Sequence, residues 1–141
     1  MHTTLETQNV RTTRRNELVE VTDRLRSLVR QHNVTDGMVI VYVPHTTAAV
    51  TINENADPDV KRDMLWKLAA MVPKDEPEYA HGEGNSDSHV KASLVGQSVT
   101  VLVERGDLLL GRWQGVYFCE FDGPRQRQMC VKILNFQPTL G

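Results

Sequence analysis

Alternating apolar and polar side chains near the C-terminus constrain the fold more than any other feature of the sequence. Residues 97–104, 108–121 and 125–136 are three predicted strands, and in the first and third the apolar side chains recur with the period of two residues that is typical of strands buried on one face. The side chains that share a face are Val99, Val101 and Val103 in the first segment and Met129, Val131 and Ile133 in the third. Arg105-Gly106-Asp107 and Asp122-Gly123-Pro124 supply the turns. The pattern predicts a mostly antiparallel sheet.

Three helices are expected to pack against this sheet. The first, over residues 17–32, is indicated by apolar side chains at helical spacing: Leu18, Val21, Leu25, Leu28 and Val29. The second begins at Asp57-Pro58, and its buried stripe is Val60, Met64, Leu65, Leu68 and Met71. A short third helix, over residues 88–95, takes Asp87 as its cap. Further strands are predicted at 3–11, 38–43 and 48–53, and Trp113 is expected in the core.

Residues 1–141 are therefore predicted to form one compact α+β domain of mostly antiparallel β-sheet, packed with two longer helices and one short helix. The formal net charge of −2 argues against general binding of nucleic acid, which needs a basic face. The sequence has neither an 18-residue apolar stretch nor the N-terminal pattern of a signal peptide. We therefore expect a cytoplasmic protein with no membrane partner. Cys119 and Cys130 are interpreted as buried thiols rather than a disulfide.

Polar side chains collect in three places at or near the ends of predicted elements. The clusters are Pro44-His45-Thr46-Thr47 with Asn53-Glu54-Asn55, then His81-Gly82-Glu83-Gly84-Asn85-Ser86-Asp87-Ser88-His89, then Asp122 through Arg127. The second cluster follows a long connection and has almost no apolar side chain, and its glycines let the backbone approach a ligand closely. The same residue types also dominate ordinary surface loops. A functional site is the interpretation favoured here.

The histidines of these clusters, His45, His81 and His89, are the predicted metal ligands. Supplied by two loops and a helix start, they suit a three-nitrogen set with an open position for water or substrate. The expected cofactor is a divalent metal ion, zinc or magnesium. The predicted catalytic carboxylates are Glu54, Glu83, Asp87 and Glu120. Each could act as an additional metal ligand, as a group that orients a ligand, or as a general base. The sequence leaves those roles open.

Hydroxyl, amide and guanidinium donors in the same clusters suit a phosphorylated small-molecule substrate. The predicted substrate-binding residues are Thr46, Thr47, Asn55, Asn85, Arg125 and Arg127. Arg125 and Arg127 lie two apart on a predicted strand, so their side chains point the same way. The alternative is structural: the threonines cap a corner, the asparagines hold turns and the arginines solvate the end of a hairpin.

The motifs in their order carry a family resemblance. They are His45-Thr46-Thr47-Ala48, Asn53-Glu54, His81 through His89, Leu110-Gly111-Arg112-Trp113-Gln114, and Glu120 through Arg127. Together they resemble the YjbQ-like family, often labelled secondary thiamine-phosphate synthase, over essentially the whole chain. The resemblance implies a compact α+β fold, a homotrimer with sites near subunit boundaries, and a site built from the matching histidines and acidic residues. It also implies the joining of hydroxymethylpyrimidine diphosphate to a thiazole phosphate with release of pyrophosphate.

Three functions remain open from the sequence. The first is the transferase implied by the resemblance, with arginines and a divalent metal neutralising the leaving pyrophosphate. The second is a metal-dependent hydrolase of a phosphorylated small molecule, which would turn over a single substrate. The third is a trimeric protein that binds a small ligand without turning it over, which would show stabilisation by ligand but no product.

Overall fold

The computed structural model describes residues 1–137. Within that range the strands are β1 His2–Arg11, β2 Glu17–Glu20, β3 Asp36–Tyr42, β4 Ala48–Glu54, β5 Ser98–Glu104, β6 Asp107–Leu108, β7 Gln114–Glu120 and β8 Gln126–Asn135. The helices are α1 Thr22–Gln31, α2 Pro58–Met71 and α3 Ser86–Val95. The start of α2 is as predicted, because the Asp57 carboxylate accepts a hydrogen bond from the Asp59 amide at 2.9 Å and Pro58 opens the first turn.

The strands form two sheets whose pairings are all antiparallel. The larger sheet has the order β1-β8-β3-β5-β6, and the smaller has the order β2-β7-β4. Both sheets and α1 contribute to one main core, in which Leu25, Val41, Phe118 and Met129 are fully buried. The predicted α+β class, with mostly antiparallel sheet and three helices, is confirmed.

A second, smaller core lies on the other face of the smaller sheet. It joins Tyr117 and Cys119 of β7 to Ala92 of α3 and to Leu65 and Leu68 of α2. Strand β7 is therefore covered on both faces, which explains why every residue from Gly115 to Glu120 is buried. The stripe predicted on α2 is only half-buried, and Met71 at its end is exposed.

The first predicted helix is shorter than expected. Residues 17–20 form β2, in which Leu18 pairs with Cys119, and α1 begins only at Thr22. Leu18 packs in the smaller core, whereas Val21 and Leu25 pack in the main core. A recurrence of three to four residues does not separate one long helix from a short strand followed by a helix when both bury apolar side chains.

Three further expectations were wrong. The predicted strand 108–121 is interrupted by a turn, in which the Gln114 amide donates to the Gly111 carbonyl at 3.0 Å. Trp113 consequently leaves the core: it is 53 % exposed and lies against the Arg112 guanidinium at 4.7 Å. Asp87 does not cap α3, because the helix begins two residues earlier than predicted, at Ser86, and Asn85 takes the N-cap position.

Three chain segments meet at one end of the two sheets and position the candidate site. They are residues 43–47 after β3, residues 121–125 after β7, and the first turn of α3. The Phe121 amide donates to the Thr47 carbonyl at 3.2 Å, and the Ser88 hydroxyl donates to the Phe121 carbonyl at 2.6 Å. These bonds hold the polar clusters of the sequence side by side. Among residues 1–137, no helix is long and apolar enough to cross a bilayer.

Candidate functional site

An open cleft of about 860 Å³ lies where these three segments meet. Predicted site residues on its walls are His45, Thr46, Thr47, Glu83, Asn85, His89, Arg125 and Arg127. Most of the residues selected from sequence for phosphate recognition are thus brought together, although they come from separate parts of the chain. A cleft lined by a few converging polar groups is the usual form of a small-molecule site.

His45 enters the cleft wall as a neutral hydrogen-bond donor. Its Nε2 accepts a hydrogen bond from the Gln128 amide at 3.0 Å, so Nε2 carries no proton. In a neutral imidazole the proton then resides on Nδ1, which becomes the donor. Burial lowers the pKa of His45, and the nearby positive charge of Arg127 lowers it further. The ring is therefore uncharged at pH 7 and offers an N–H rather than a cation.

Glu120 and Arg127 form a buried ion pair behind the cleft. The side chain of Glu120 is fully buried and that of Arg127 is 4 % exposed. Arg127 donates from Nε to Glu120 Oε1 at 2.8 Å and from Nη2 to Glu120 Oε2 at 2.5 Å. Nη2 also donates to the Thr47 hydroxyl at 2.8 Å, which leaves Nη1 as the nitrogen that these bonds do not use. Glu120 thus fixes the guanidinium that lines the cleft.

The protonation state of Glu120 follows from its surroundings. Burial by itself raises the pKa of the carboxyl, but the hydrogen bonds from Arg127, from the Asp122 amide and from the Thr12 hydroxyl outweigh it. The net effect is a pKa below the ordinary carboxyl value. Glu120 is consequently a carboxylate at neutral pH, and its contacts are those of a buried counter-ion.

Arg125, Asp122 and Asn85 form a second polar chain along the cleft. Arg125 donates from Nη2 to Asp122 Oδ2 at 3.0 Å, and the Asn85 amide donates to the same oxygen at 2.8 Å. Because Asn85 Nδ2 faces a carboxylate, the orientation of its amide group is set by that bond. Its Oδ1 is buried and has no hydrogen-bond partner within residues 1–137. This acceptor needs a water, a ligand donor or a cation.

Asp87 lies outside the cleft, at the centre of a buried network. It accepts two hydrogen bonds from Arg15, both at 2.9 Å, and one from Lys91 Nζ at 3.2 Å. Burial raises the pKa of Asp87, and the bonds from Arg15 and Lys91 reverse that effect, so the net pKa is lowered. The network ties the loop after β1 to α3 and thereby holds the helix start against the cleft.

Glu54 and Asn55 also lie away from the cleft lining. Glu54 Oε2 accepts a hydrogen bond from the Asp57 amide at 3.2 Å, just before α2. Asn55 donates to Glu20 Oε2 at 2.9 Å. Both side chains hold the turn between β4 and α2, which is the structural alternative that the sequence allowed for the asparagines.

His81 is not among the residues that line the cleft with His45. It lines an adjoining recess with His89, and the two imidazole centroids lie 5.5 Å apart at an angle of 89°. His81 Nε2 lies 3.7 Å from Glu83 Oε2. Within residues 1–137 no group of three or more His, Cys, Asp or Glu side chains is arranged to hold a metal ion. The three histidines therefore do not assemble as one ligand set within the described part of a single chain.

Sequence reasoning missed several residues that shape the site. Asp122 was treated as part of a turn, yet it orients both Arg125 and Asn85. Arg15 and Lys91 escaped notice because both lie outside the three polar clusters, and nothing in the local sequence pairs either cation with Asp87. The proline and glycine beside Asp122 pointed to a turn, and only the neighbouring arginine hinted at an ion pair.

Comparisons with known proteins agree with this architecture. Residues 6–136 match the family model described as UPF0047 protein YjbQ-like. The chain is 47 % identical over 131 residues to the UPF0047 protein YugU of Bacillus subtilis, covering 93 % of this chain and 99 % of that protein. It is 50 % identical over 126 residues to the UPF0047 protein MJ1081 of Methanocaldococcus jannaschii, covering 89 % and 91 %.

Two solved structures share the fold over nearly their whole length. A YjbQ/UPF0047 family protein from Clostridium acetobutylicum has a TM-score of 0.88 at 48 % identity, with 91 % of this chain and 98 % of that chain covered. A protein of unknown function from Sulfolobus solfataricus has a TM-score of 0.90 at 29 % identity, with 95 % and 98 % covered. The chain belongs to the UPF0047 protein YjbQ-like family.

Proposed function

We propose that the cleft binds a phosphorylated small molecule and that the protein is a cytoplasmic enzyme acting at a diphosphate group. The observation that carries the proposal is the convergence of one uncharged N–H donor, His45, and two guanidinium groups, Arg125 and Arg127, on one cleft. Arg127 is held rigidly by Glu120, so little conformational entropy is lost when it binds an anion. Preorganised donors of this kind favour phosphate oxygens.

The reaction we propose is the joining of hydroxymethylpyrimidine diphosphate to a thiazole phosphate. The bond between the pyrimidine methylene carbon and the diphosphate oxygen breaks, pyrophosphate leaves, and the thiazole nitrogen forms the new bond to that carbon. Negative charge accumulates on the leaving oxygen as the bond breaks. The Nδ1–H of His45 and the guanidinium groups of Arg125 and Arg127 would stabilise that charge, which is the main electrostatic contribution expected of such a site.

A divalent metal is part of the proposal, and the donor set favours magnesium over zinc. A three-histidine zinc site does not assemble within residues 1–137 of one chain. Magnesium is usually held by substrate phosphates and one or two oxygen ligands. The cleft provides such oxygens in Glu83, Asp122 and the unpartnered buried Oδ1 of Asn85. When bound there, the ion would neutralise part of the diphosphate charge.

We also propose that the chain assembles as a homotrimer through the outer face of the larger sheet. That face carries Leu5, Tyr42 and Leu102, which are 58 %, 50 % and 47 % exposed. On the same sheet, Met38 pairs with both Leu102 and Leu134, so these three apolar residues form a row across β5, β3 and β8. Tyr42 also lines the cleft, so a neighbouring subunit on this face would border the site.

Hydrolysis is the second candidate, and one observation favours it. His45 is neutral at pH 7 and lines a cleft open to solvent, which are requirements for a base that activates water. The bond to the Gln128 amide occupies Nε2, so His45 would have to release that bond before accepting a proton there. Binding without turnover is the third candidate.

The test is product formation from defined substrates in the presence of Mg²⁺. Wild type is incubated with hydroxymethylpyrimidine diphosphate and thiazole phosphate, together and singly, and both pyrophosphate and thiamine phosphate are measured. Arg125→Gln is expected to lower kcat by roughly 10²-fold, because one donor to the leaving group is lost. Arg112→Gln is the matched control, since Arg112 lies against Trp113 and not on the cleft.

Each outcome selects one function. Pyrophosphate release that requires both substrates supports the transferase. Phosphate or pyrophosphate release from one substrate alone supports the hydrolase and overturns the transferase. Thermal stabilisation by the diphosphate with no product supports a binding protein, and an equal loss of activity in Arg125→Gln and Arg112→Gln overturns the role of the cleft.

A further inference from the structure

A second recess adjoins the phosphate-binding cleft at His89. This recess, which we name the ring recess, has a volume of about 380 Å³. It is lined by Tyr79, His81, Ser86, His89 and Val90. His89 lines both the ring recess and the cleft, so the two are separated by one side chain. No arginine, lysine or carboxylate lines the ring recess itself, whereas Tyr79, His81 and Ser86 also border a neighbouring recess that carries Lys74, Asp75 and Glu76. The chemistry of the ring recess therefore differs from that of the cleft.

The lining of this recess supplies aromatic ring faces and edges. The His81 and His89 imidazoles meet edge to face, with centroids 5.5 Å apart and planes at 89°. Aromatic pairs prefer centroid separations of about 4.5–7 Å, and a third ring stacked on one imidazole would present its edge or face to the other. Tyr79 adds an aromatic ring, and Val90, which is 42 % exposed, adds an apolar surface.

We infer that the ring recess binds the heteroaromatic ring of the same ligand whose phosphate groups occupy the cleft, with His89 beside the linkage between them. The inference rests on the proposed function, because it assigns the part of the substrate that the cleft does not bind. A ligand of this class is a flat nitrogen heterocycle joined to a diphosphate through a short linker. Tyr79 and His81 are then specificity residues, and Arg125 and Arg127 are phosphate-binding residues.

Tyr79 permits a clean test because its two parts act separately. Its hydroxyl donates to the Pro73 carbonyl at 3.4 Å, a hydrogen bond within the loop after α2. Its ring lines the recess. Tyr79→Phe removes only the hydroxyl, and Tyr79→Leu removes the ring as well. Val90→Trp, at an exposed helix position, is expected to fill the recess from the helix side and leaves the sequence of the loop unchanged.

The experiment measures dissociation constants by calorimetry for hydroxymethylpyrimidine diphosphate and for methyl diphosphate, which has no ring. Wild type and Tyr79→Phe are expected to bind hydroxymethylpyrimidine diphosphate at least about tenfold more tightly than methyl diphosphate. A difference of about tenfold is the usual scale for one ring stacked on an aromatic side chain. Tyr79→Leu and Val90→Trp are expected to lose that preference while binding methyl diphosphate as wild type does.

Equal affinities of wild type for the two ligands would overturn the ring recess and leave the phosphate-binding cleft standing. A uniform loss of affinity for both ligands in Tyr79→Leu, together with a wild-type preference in Val90→Trp, would show that Tyr79 only holds the loop and would also overturn it. Failure of wild type to bind either diphosphate would overturn both the inference and the proposed function.

Discussion

Replacing Glu120 by glutamine should lower the free energy of unfolding rather than remove a group that reacts with the substrate. Glu120 is fully buried, and its two oxygens accept hydrogen bonds from Arg127, Thr12 and the Asp122 amide. Glutamine has nearly the same shape, but it removes the negative charge and turns an NH₂ group toward donors. Arg127 would then remain buried without its counter-ion.

The expected magnitude follows from that burial. Removing one partner of a buried ion pair costs about 3–5 kcal/mol, because an uncompensated charge is left in the interior. For a domain of this size such a loss lowers Tm by roughly 10–20 °C. Urea unfolding followed by circular dichroism should show a lower midpoint with an unchanged slope, since the surface exposed on unfolding is the same.

Glu54→Gln serves as the control for this experiment. Glu54 was also predicted from sequence as a catalytic carboxylate, but it accepts only an exposed hydrogen bond, from the Asp57 amide. Its substitution should cost about 1 kcal/mol or less. A Glu120→Gln protein as stable as wild type would refute the counter-ion role. If that variant were also inactive on the proposed substrates, Glu120 would have to be a reacting group.

Three further predictions concern stability and protonation. Asp87→Asn should cost about 3–5 kcal/mol in urea unfolding, because the cations of Arg15 and Lys91 lose their shared partner; a change below about 1 kcal/mol would contradict this. The pKa of His45 is lowered by burial and by Arg127, so its NMR titration should have a midpoint below about 6.5, and a midpoint above that value would contradict the neutral donor. Gly37→Ala should destabilise by about 1–3 kcal/mol, since an added Cβ would lie 2.0 Å from the Leu134 carbonyl oxygen; an unchanged Tm would contradict the close approach of β3 and β8.

The signs of these pKa shifts also fix how stability depends on pH. The pKa values of Asp87 and Glu120 are lower in the folded than in the unfolded state, so both groups bind protons more weakly after folding. Their contribution is complete above the ordinary carboxyl pKa of about 4 and is lost as the pH falls through the lower folded values. The pKa of His45 is also lower in the folded than in the unfolded state, so stability changes with pH in the same direction. The contribution of His45 to stability is present above about pH 6.5 and is lost as the pH falls through its lower folded pKa.

Periodicity was sufficient for much of the fold. The alternation in residues 97–104 and 125–136 and the Asp57-Pro58 start gave β5, β8 and α2, because each depends on local sequence alone. Local patterns failed where the secondary structure of a short segment depends on the strand or helix that it packs against. Residues 17–20 form a strand because Leu18 pairs beside β7, and nothing within that segment separates it from the first turn of a helix.

For the candidate site, too, local sequence predicted some features, and tertiary contacts decided the others. Composition and motif order were enough to select His45, Thr47, Asn85 and Arg125, which the fold does bring to one cleft. Composition could not assign roles to carboxylates, because the role of a carboxylate depends on which cation reaches it. Asp87 and Glu120 resemble catalytic groups in the sequence and are buried counter-ions in the structure, since Arg15 is distant along the chain and Arg127 lies on the next strand.

The most direct test of the proposed site is a crystal structure of the protein grown with pyrophosphate and Mg²⁺. The cleft should contain pyrophosphate with its oxygens within hydrogen-bond distance of His45 Nδ1, of the Arg125 guanidinium and of Arg127 Nη1, and Gln128 should still donate to His45 Nε2. An empty cleft at saturating pyrophosphate, or pyrophosphate bound elsewhere on the molecule, would contradict the assignment of this cleft as the phosphate-binding site.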